Sequence, residues 1–126
     1  MTKKLFAILI IFFTACMAQD FPSVSAQDAY KMKSENDSLV FVDVRTVAEF
    51  TGSLGHIDGA VLIPLHELQE NIDKLNVYKD REIIVYCRSG NRSKEGTRIL
   101  TQNGFKATNM LGGIKAWNDL PQIKKE

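Results

Sequence analysis

Short strand-like segments alternate along the chain with stretches of helical spacing. Segments rich in β-branched, aromatic and other apolar residues predict strands at 39–44, 60–63, 83–86 and 107–110. The run Ile83-Ile84-Val85-Tyr86 is continuously apolar, as expected for a strand covered on both faces of a parallel sheet. The chain therefore carries the pattern of a buried sheet whose strands are joined by helical connections.

Helical signals occur between and around these segments. Ser25, with Asp28 three positions later, resembles a capping box and predicts a helix through about Met32. Asn103-Gly104-Phe105 predicts a helix end, with Gly104 in the left-handed position and Phe105 folded back on Leu100. Two further helices are predicted from apolar spacing, at Leu65, Leu68, Ile72 and Leu75 and at Ile114, Trp117 and Leu120.

The order of these elements predicts an α/β fold. Strand, loop, helix and strand follow one another from Ile83 to Met110, which is a βαβ unit. We expect a parallel sheet of about five strands with helices on both faces. The 126 residues suffice for one domain, and a formal net charge of +1 gives no reason to expect nucleic-acid binding.

The first 18 residues have the pattern of an export signal. Lys3 and Lys4 precede an unbroken apolar run of nine residues that is too short for a comfortable membrane span. The stretch 13–16 resembles a bacterial lipoprotein box, which would make Cys16 the lipidated first residue. Cleavage after Ala18 is the alternative. We predict a short linker at 19–22, a folded domain at 23–126, and export to the bacterial cell envelope (periplasm), with membrane anchoring through Cys16.

The loop after the 83–86 strand carries the candidate chemistry. Cys87 stands at the carboxyl end of that strand, where ligands bind in α/β domains, and its sulfur is expected to lie outside the core. Backbone N–H groups, a following helix N-terminus, Arg88 and Arg92 would each favour a thiolate. We predict a lowered pKa for Cys87, a nucleophilic sulfur, and an anionic substrate held by the loop residues Arg88, Ser89, Gly90, Asn91 and Arg92.

Charged residues at a second strand end are candidates to brace this loop. Asp43 and Arg45 follow the 39–44 strand at the same sheet edge and could hold the loop by charge-assisted hydrogen bonds. A local salt bridge capping the turn is the equal alternative. His56 is expected to order its glycine-rich turn rather than act as a base. The two histidines lack the spacing of a metal site, so no metal is predicted.

Four stretches together resemble rhodanese-family sulfurtransferases. They are Cys87-Arg-Ser-Gly-Asn-Arg92, the segment 42–45 with Glu49-Phe50, the turn 55–60, and Leu111-Gly-Gly113 with Trp117. The resemblance covers about residues 23–121 and implies a three-layer rhodanese-like fold. It also implies transfer of sulfane sulfur from a thiosulfate-like or persulfide donor, through a Cys87 persulfide, to cyanide or a thiol. It implies no cofactor, and we expect a monomer.

Two alternatives remain from the residues alone. Phosphatase and arsenate-reductase loops have five residues between cysteine and arginine, whereas Arg92 follows after four and Ser93 stands in the arginine position. A sulfur carrier that hands persulfide to a protein partner is the other alternative. Such a carrier would load Cys87 but turn over poorly with small acceptors.

Overall fold

The computed structural model describes residues 21–124. Five strands and six α-helices are present in this range, together with one 3₁₀ helix at Ile72–Tyr78. The strands are β1 (Ser23–Val24), β2 (Val40–Asp43), β3 (Val61–Leu62), β4 (Glu82–Tyr86) and β5 (Lys106–Met110). The helices are α1 (Ala26–Glu35), α2 (Val47–Phe50), α3 (Leu65–Leu68), α4 (Asn91–Gln102), α5 (Gly113–Asn118) and α6 (Pro121–Lys124).

The strands form one parallel sheet in the order β1-β5-β4-β2-β3. β4 lies at its centre, paired on one side with β2 and on the other with β5. The predicted α/β class and the parallel sheet of five strands are confirmed. Because all strands run the same way, the loops after β2 and β4 meet at one edge of the sheet.

Two hydrophobic clusters fill the two faces of the sheet. Ile83 and Val85 of β4 enter one cluster, together with buried residues of α3, the 3₁₀ helix and α4. Ile84 and Tyr86 enter the other, where α1 and α5 supply the covering side chains and Trp117 is a buried member. The alternation along β4 thus places helices on both faces, as predicted.

The end of α4 matches its prediction. Gly104 has φ +83°. The Gly104 N–H donates to the Thr101 carbonyl at 3.1 Å, and the Phe105 N–H donates to the Leu100 carbonyl at 3.0 Å. This is a Schellman motif. Phe105 and Leu100 share the first cluster, so the turn that ends α4 also packs it on the sheet.

Other predicted elements need correction. The helix predicted over Leu65 to Leu75 is interrupted: α3 ends at Leu68, and a 3₁₀ helix begins at Ile72. Asn71 between them still donates its backbone N–H to the Glu67 carbonyl at 3.0 Å, and its side-chain amide donates to the same oxygen at 2.9 Å. The closing helix is likewise divided into α5 and α6, the latter beginning at Pro121.

Two short elements were not predicted. β1 has only two residues and is recognisable only from its pairing with β5. α2 begins with a complete capping box between Thr46 and Glu49, a Thr-x-x-Glu signal that is visible in the sequence. The predicted export signal and Cys16 lie outside the described residues. None of the helices within residues 21–124 combines the length and apolar character that a membrane span needs.

Candidate active site

Cys87 directly follows β4 and is buried. Only 1% of its surface is exposed, and it belongs to the cluster that contains Val85 and Leu100. The expectation that its sulfur lies outside the core is therefore wrong. Cys87 continues the alternation of β4, so its side chain points to the same sheet face as Val85, where α4 covers it.

The loop wraps its polar groups around the sulfur. The Gly90 N–H donates to Cys87 Sγ at 3.0 Å, and Ser93 Oγ lies 3.4 Å from the same sulfur. Gly90 has φ +119°, a conformation that glycine adopts without strain, and it lies directly before α4. The sulfur therefore sits in a pocket of hydrogen-bond donors at the start of α4.

These donors determine the ionisation of Cys87. Burial raises the pKa of the thiol, but hydrogen bonds from the Ser93 hydroxyl and from the backbone N–H groups of Ser93, Gly90 and Ser89 lower it. The net pKa lies below the ordinary value, and the predicted direction is confirmed. The physical cause is the cradle of donors. The sequence also suggested the arginines as contributors, and Arg92 is held by the carboxylate of Glu49.

Arg92 is engaged by a carboxylate. Its Nη1 and Nη2 atoms lie 2.6 and 2.8 Å from the Oε1 and Oε2 atoms of Glu49, a bidentate ion pair between α4 and α2. The hydrogen bond from Arg92 lowers the pKa of Glu49 to about 2, so Glu49 is ionised at neutral pH. Anion binding by Arg92 stays a prediction. An anion that approached the Arg92 guanidinium would have to compete with the carboxylate of Glu49.

Three predicted substrate-binding residues lie at the surface of the loop. Arg88, Ser89 and Asn91 are exposed. Arg88 lines a cavity of about 220 Å³ beside the loop, whose other lining residues are Arg45, Glu49, Gly52, Ser53 and Leu54. Cys87 is not among the residues that line this cavity, and substrate binding by the loop residues remains a prediction.

Asp43 and Arg45 form a buried ion pair with each other. Arg45 Nη2 lies 2.7 Å from Asp43 Oδ2, and the two side chains are 1% and 0% exposed. Arg45 also donates to the Gly55 carbonyl at 2.7 Å, which ties the turn after α2 to the end of β2. The pair also lies against Tyr86, the residue before Cys87 on β4, with the Arg45 Cζ atom 5.7 Å from the centre of its ring. A bracing effect on the Cys87 loop stays a prediction.

The Gly112-Gly113 turn supports the Cys87 loop from the β5 side. The Ile114 N–H donates to the Cys87 carbonyl at 2.8 Å, and the Lys115 N–H donates to the Arg88 carbonyl at 3.2 Å. Gly113 has φ +59°, and a methyl group there would overlap both of those carbonyl oxygens. In the sequence this glycine pair served only as part of the family resemblance, and its contact with the nucleophile's backbone was missed.

Ser93 and Glu49 are the other site residues that sequence reasoning missed. From the sequence, Ser93 was named only because it stands where phosphatase loops have an arginine. Glu49 was named only as part of a segment that resembles the family. His56, in contrast, orders its turn as expected: its Nδ1 lies 2.9 Å from the Phe50 carbonyl oxygen, and its ring stacks on Phe50. Within residues 21–124, no group of three or more His, Cys, Asp or Glu side chains is placed to hold a metal ion.

Comparisons with known proteins agree with this site. The rhodanese-like domain family matches residues 25–120. A protein of Allochromatium vinosum named "Sulfurtransferase" is 31% identical over 106 residues, which is 82% of this chain and 95% of that protein. The Bacillus subtilis (strain 168) protein named "Putative sulfur carrier protein YrkF" is 36% identical over 102 residues. That match covers 79% of this chain and 52% of YrkF, so the chain spans about half of that relative.

Solved structures give the same picture. A rhodanese-like domain protein from Staphylococcus aureus superposes with a TM-score of 0.70 at 31% sequence identity. The superposition covers 80% of this chain and 95% of that one. The fold of this chain therefore matches nearly the whole length of that protein.

Proposed function

The chain belongs to the family of rhodanese-like domains, and we propose that it is a sulfurtransferase that carries sulfane sulfur on Cys87. The observation that supports this most directly is the buried sulfur with the Gly90 N–H at 3.0 Å and the Ser93 hydroxyl at 3.4 Å. Such donors stabilise a thiolate, which is the attacking form of the sulfur. Relatives named as a sulfurtransferase and a sulfur carrier point the same way.

The proposed reaction has two steps. The Cys87 thiolate attacks the outer sulfur of thiosulfate or of an organic persulfide, and the old sulfur–sulfur bond breaks as the new one forms. Sulfite or a thiolate leaves with the electron pair, and a persulfide remains on Cys87. A thiol or cyanide then attacks the outer sulfur of this persulfide and releases the Cys87 thiolate. Because sulfite and thiolates are good leaving groups, the transfer does not require a general acid.

Intact-mass spectrometry tests the proposal. The purified chain is incubated with thiosulfate or an alkyl hydropersulfide and then with cyanide, beside a Cys87→Ser variant. We expect a gain of one sulfur atom that requires Cys87 and is lost with cyanide. Loading without release to cyanide or small thiols would favour the carrier alternative, in which a protein partner takes the sulfur. Absence of loading from either donor would refute sulfur transfer.

Phosphate or arsenate chemistry fits the site less well. Ser93, which stands in the position of the phosphatase arginine, is buried and hydrogen-bonded to the Gly90 carbonyl at 3.0 Å. Arg92, one position earlier, is held by Glu49. A cavity beside the loop with a carboxylate on its wall disfavours a phosphoryl dianion. Hydrolysis of a phosphate-ester substrate by the chain, lost in Cys87→Ser, would overturn this preference.

We also propose that the protein is exported to the cell envelope and anchored through Cys16. The support is the order of charges, apolar run and small residues in positions 1–18. Labelling of growing cells with a radioactive fatty acid tests the anchor. Incorporation that is lost in Cys16→Ser is expected, and a soluble, unlabelled protein cut after Ala18 would refute it.

A further inference from the structure

Glu49 is held from two directions at the wall of the cavity that Arg88 also lines. Its carboxylate binds both terminal nitrogens of Arg92 and also accepts hydrogen bonds from the Thr46 N–H and hydroxyl, at 3.4 and 3.3 Å. Glu49 and Arg92 are only 29% and 37% exposed. Glu49 therefore neutralises the arginine and stays at the cavity wall that it shares with Arg88.

The charges around the sulfur cancel as a result. Arg88 and Arg92 are positive, while Glu49 and the Cys87 thiolate are negative. The neighbouring pair of Asp43 and Arg45 is neutral as a unit. An approaching dianion therefore finds no net formal charge on these side chains and meets two negative groups, one of which is its own nucleophile. A neutral or singly charged donor is repelled less by the same two negative groups.

We propose that Glu49 determines the charge of the sulfur donor and selects neutral or singly charged persulfides and thiosulfonates over doubly charged thiosulfate. This inference rests on the sulfur-transfer function proposed above and names the donor class of that site. With a hydropersulfide R–S–SH, the Cys87 thiolate attacks the outer sulfur. The S–S bond to R–S breaks, R–S⁻ leaves with the electron pair, and Cys87–S–SH remains, so no oxidant or reductant is needed.

Two donors that differ mainly in charge test this selectivity. Thiosulfate is a dianion, whereas methanethiosulfonate is a monoanion that offers the same kind of outer sulfur with sulfinate as leaving group. The Glu49→Gln variant removes the charge and keeps one side-chain oxygen that can accept from Arg92 or Thr46. We expect the ratio of kcat/KM for thiosulfate to kcat/KM for methanethiosulfonate to rise several-fold, because the second charge of thiosulfate no longer meets a negative side chain.

Glu95→Gln is the matched control. Glu95 forms the same kind of pair with Arg98, at 2.8 Å, and lies on the exposed surface of α4. This variant changes the net charge of the protein equally, so its donor ratio should stay that of the unaltered chain. A ratio that is unchanged in Glu49→Gln, or that changes equally in both variants, would overturn the proposal while leaving sulfur transfer intact.

Alkylation of Cys87 tests the electrostatic effect of Glu49 without any sulfur transfer. Iodoacetate is an anion and iodoacetamide is neutral, and both react with the same thiolate. The ratio of their rates is therefore independent of the fraction ionised. We expect Glu49→Gln to raise the ratio of iodoacetate to iodoacetamide reactivity several-fold and Glu95→Gln to leave it unchanged. An unchanged ratio in Glu49→Gln would refute the inference even if no sulfur donor reacted.

Discussion

The Ser93 hydroxyl lies between the Cys87 sulfur and the Gly90 carbonyl, with Oγ at 3.4 Å from Sγ and 3.0 Å from the carbonyl oxygen. In the thiol form, Cys87 donates to Ser93, and Ser93 donates to Gly90. When Cys87 loses its proton, the hydroxyl can turn and donate to the sulfur instead. Ser93 therefore serves both forms of the nucleophile, and rotation of one hydroxyl accompanies ionisation.

Replacement of Ser93 by alanine should raise the pKa of Cys87. The thiolate loses a charge-assisted hydrogen bond, whereas burial, which opposes ionisation, remains. We expect a rise of about one pH unit, since a hydrogen bond to a charged group contributes roughly 1.5 to 3 kcal/mol before relaxation. The pH dependence of iodoacetamide alkylation measures this pKa.

Ser89→Ala is the control for this experiment. Ser89 lowers the pKa through its backbone N–H, which alanine retains, and its side chain is on the exposed part of the loop. The pKa of Cys87 should then stay at its value in the unaltered chain. An equal rise in both variants would show that the loop conformation, and not the Ser93 hydroxyl, controls ionisation.

Gly113→Ala should disrupt the site far more than Gly59→Ala. Both glycines have positive φ, +59° and +79°, so each alanine carries a similar backbone strain of about 1 to 2 kcal/mol. At Gly59 no atom lies within 4 Å of the added methyl, whereas at Gly113 the methyl overlaps the Cys87 and Arg88 carbonyl oxygens. We expect Gly113→Ala to lose more than about 3 kcal/mol in unfolding free energy.

Urea unfolding of the two variants checks this difference. The rate of Cys87 alkylation adds a local measurement, because the Gly113 turn holds the backbone of the nucleophile through the Ile114 N–H. Gly59→Ala should keep the alkylation rate of the unaltered chain. Equal loss of stability in the two variants would mean that backbone strain alone matters and that the contact with the loop does not.

The sequence predicted those features that depend on neighbouring residues. The apolar run of β4, the cysteine at its end and the glycine turn after α4 each follow from a few adjacent positions, and each is present. The donors that lower the pKa of Cys87 also lie within six positions of it. Ser93 nevertheless escaped notice, because a buried serine gives no local signal.

The remaining site contacts join distant parts of the chain. Glu49 and Arg92 are 43 positions apart, and they meet only because β2 and β4 are neighbours in the sheet. The Gly113 turn approaches Cys87 because β5 lies on the other side of β4. The burial of Cys87 likewise depends on how α4 packs. The periodicity of the sequence predicts the strands and helices. Contacts between residues far apart in the sequence can be predicted only once the order of the strands in the sheet is known.

Asp43→Asn should be strongly destabilising. The substitution leaves the Arg45 guanidinium, whose side chain is 1% exposed, without its carboxylate partner inside the protein. Removing one partner of a buried ion pair lowers the unfolding free energy by about 3 to 5 kcal/mol, mainly because the other charge is left buried without a partner. Denaturant unfolding measures this loss, and Glu95→Gln, which breaks an exposed pair on α4, should show little change. A small loss in Asp43→Asn would indicate that water reaches Arg45.

The ion pair between Glu49 and Arg92 should contribute stability that depends on pH in the acid range. The pKa of Glu49 falls from an ordinary value of 4.5 to about 2 in the folded protein. A carboxyl with a lowered folded pKa stabilises the protein fully above its unfolded pKa, and that contribution disappears as the pH falls toward the folded pKa. Because both side chains are partly exposed, we expect about 1 kcal/mol at neutral pH rather than the full value of the shift.

The difference in unfolding free energy between the unaltered chain and Glu49→Gln measures this contribution. It should be constant above a pH of about 5, decline between 4.5 and 2, and vanish near the folded pKa. The other carboxyl groups are present in both proteins, so their protonation cancels in the difference. A difference that persists at pH 2 would mean that Glu49 stabilises α2 through its capping bonds to Thr46, which glutamine replaces imperfectly, rather than through its charge. A difference that stays flat from pH 5 to pH 2 would contradict the lowered pKa itself, because a carboxyl whose pKa is the same in the folded and unfolded states adds no pH-dependent stability.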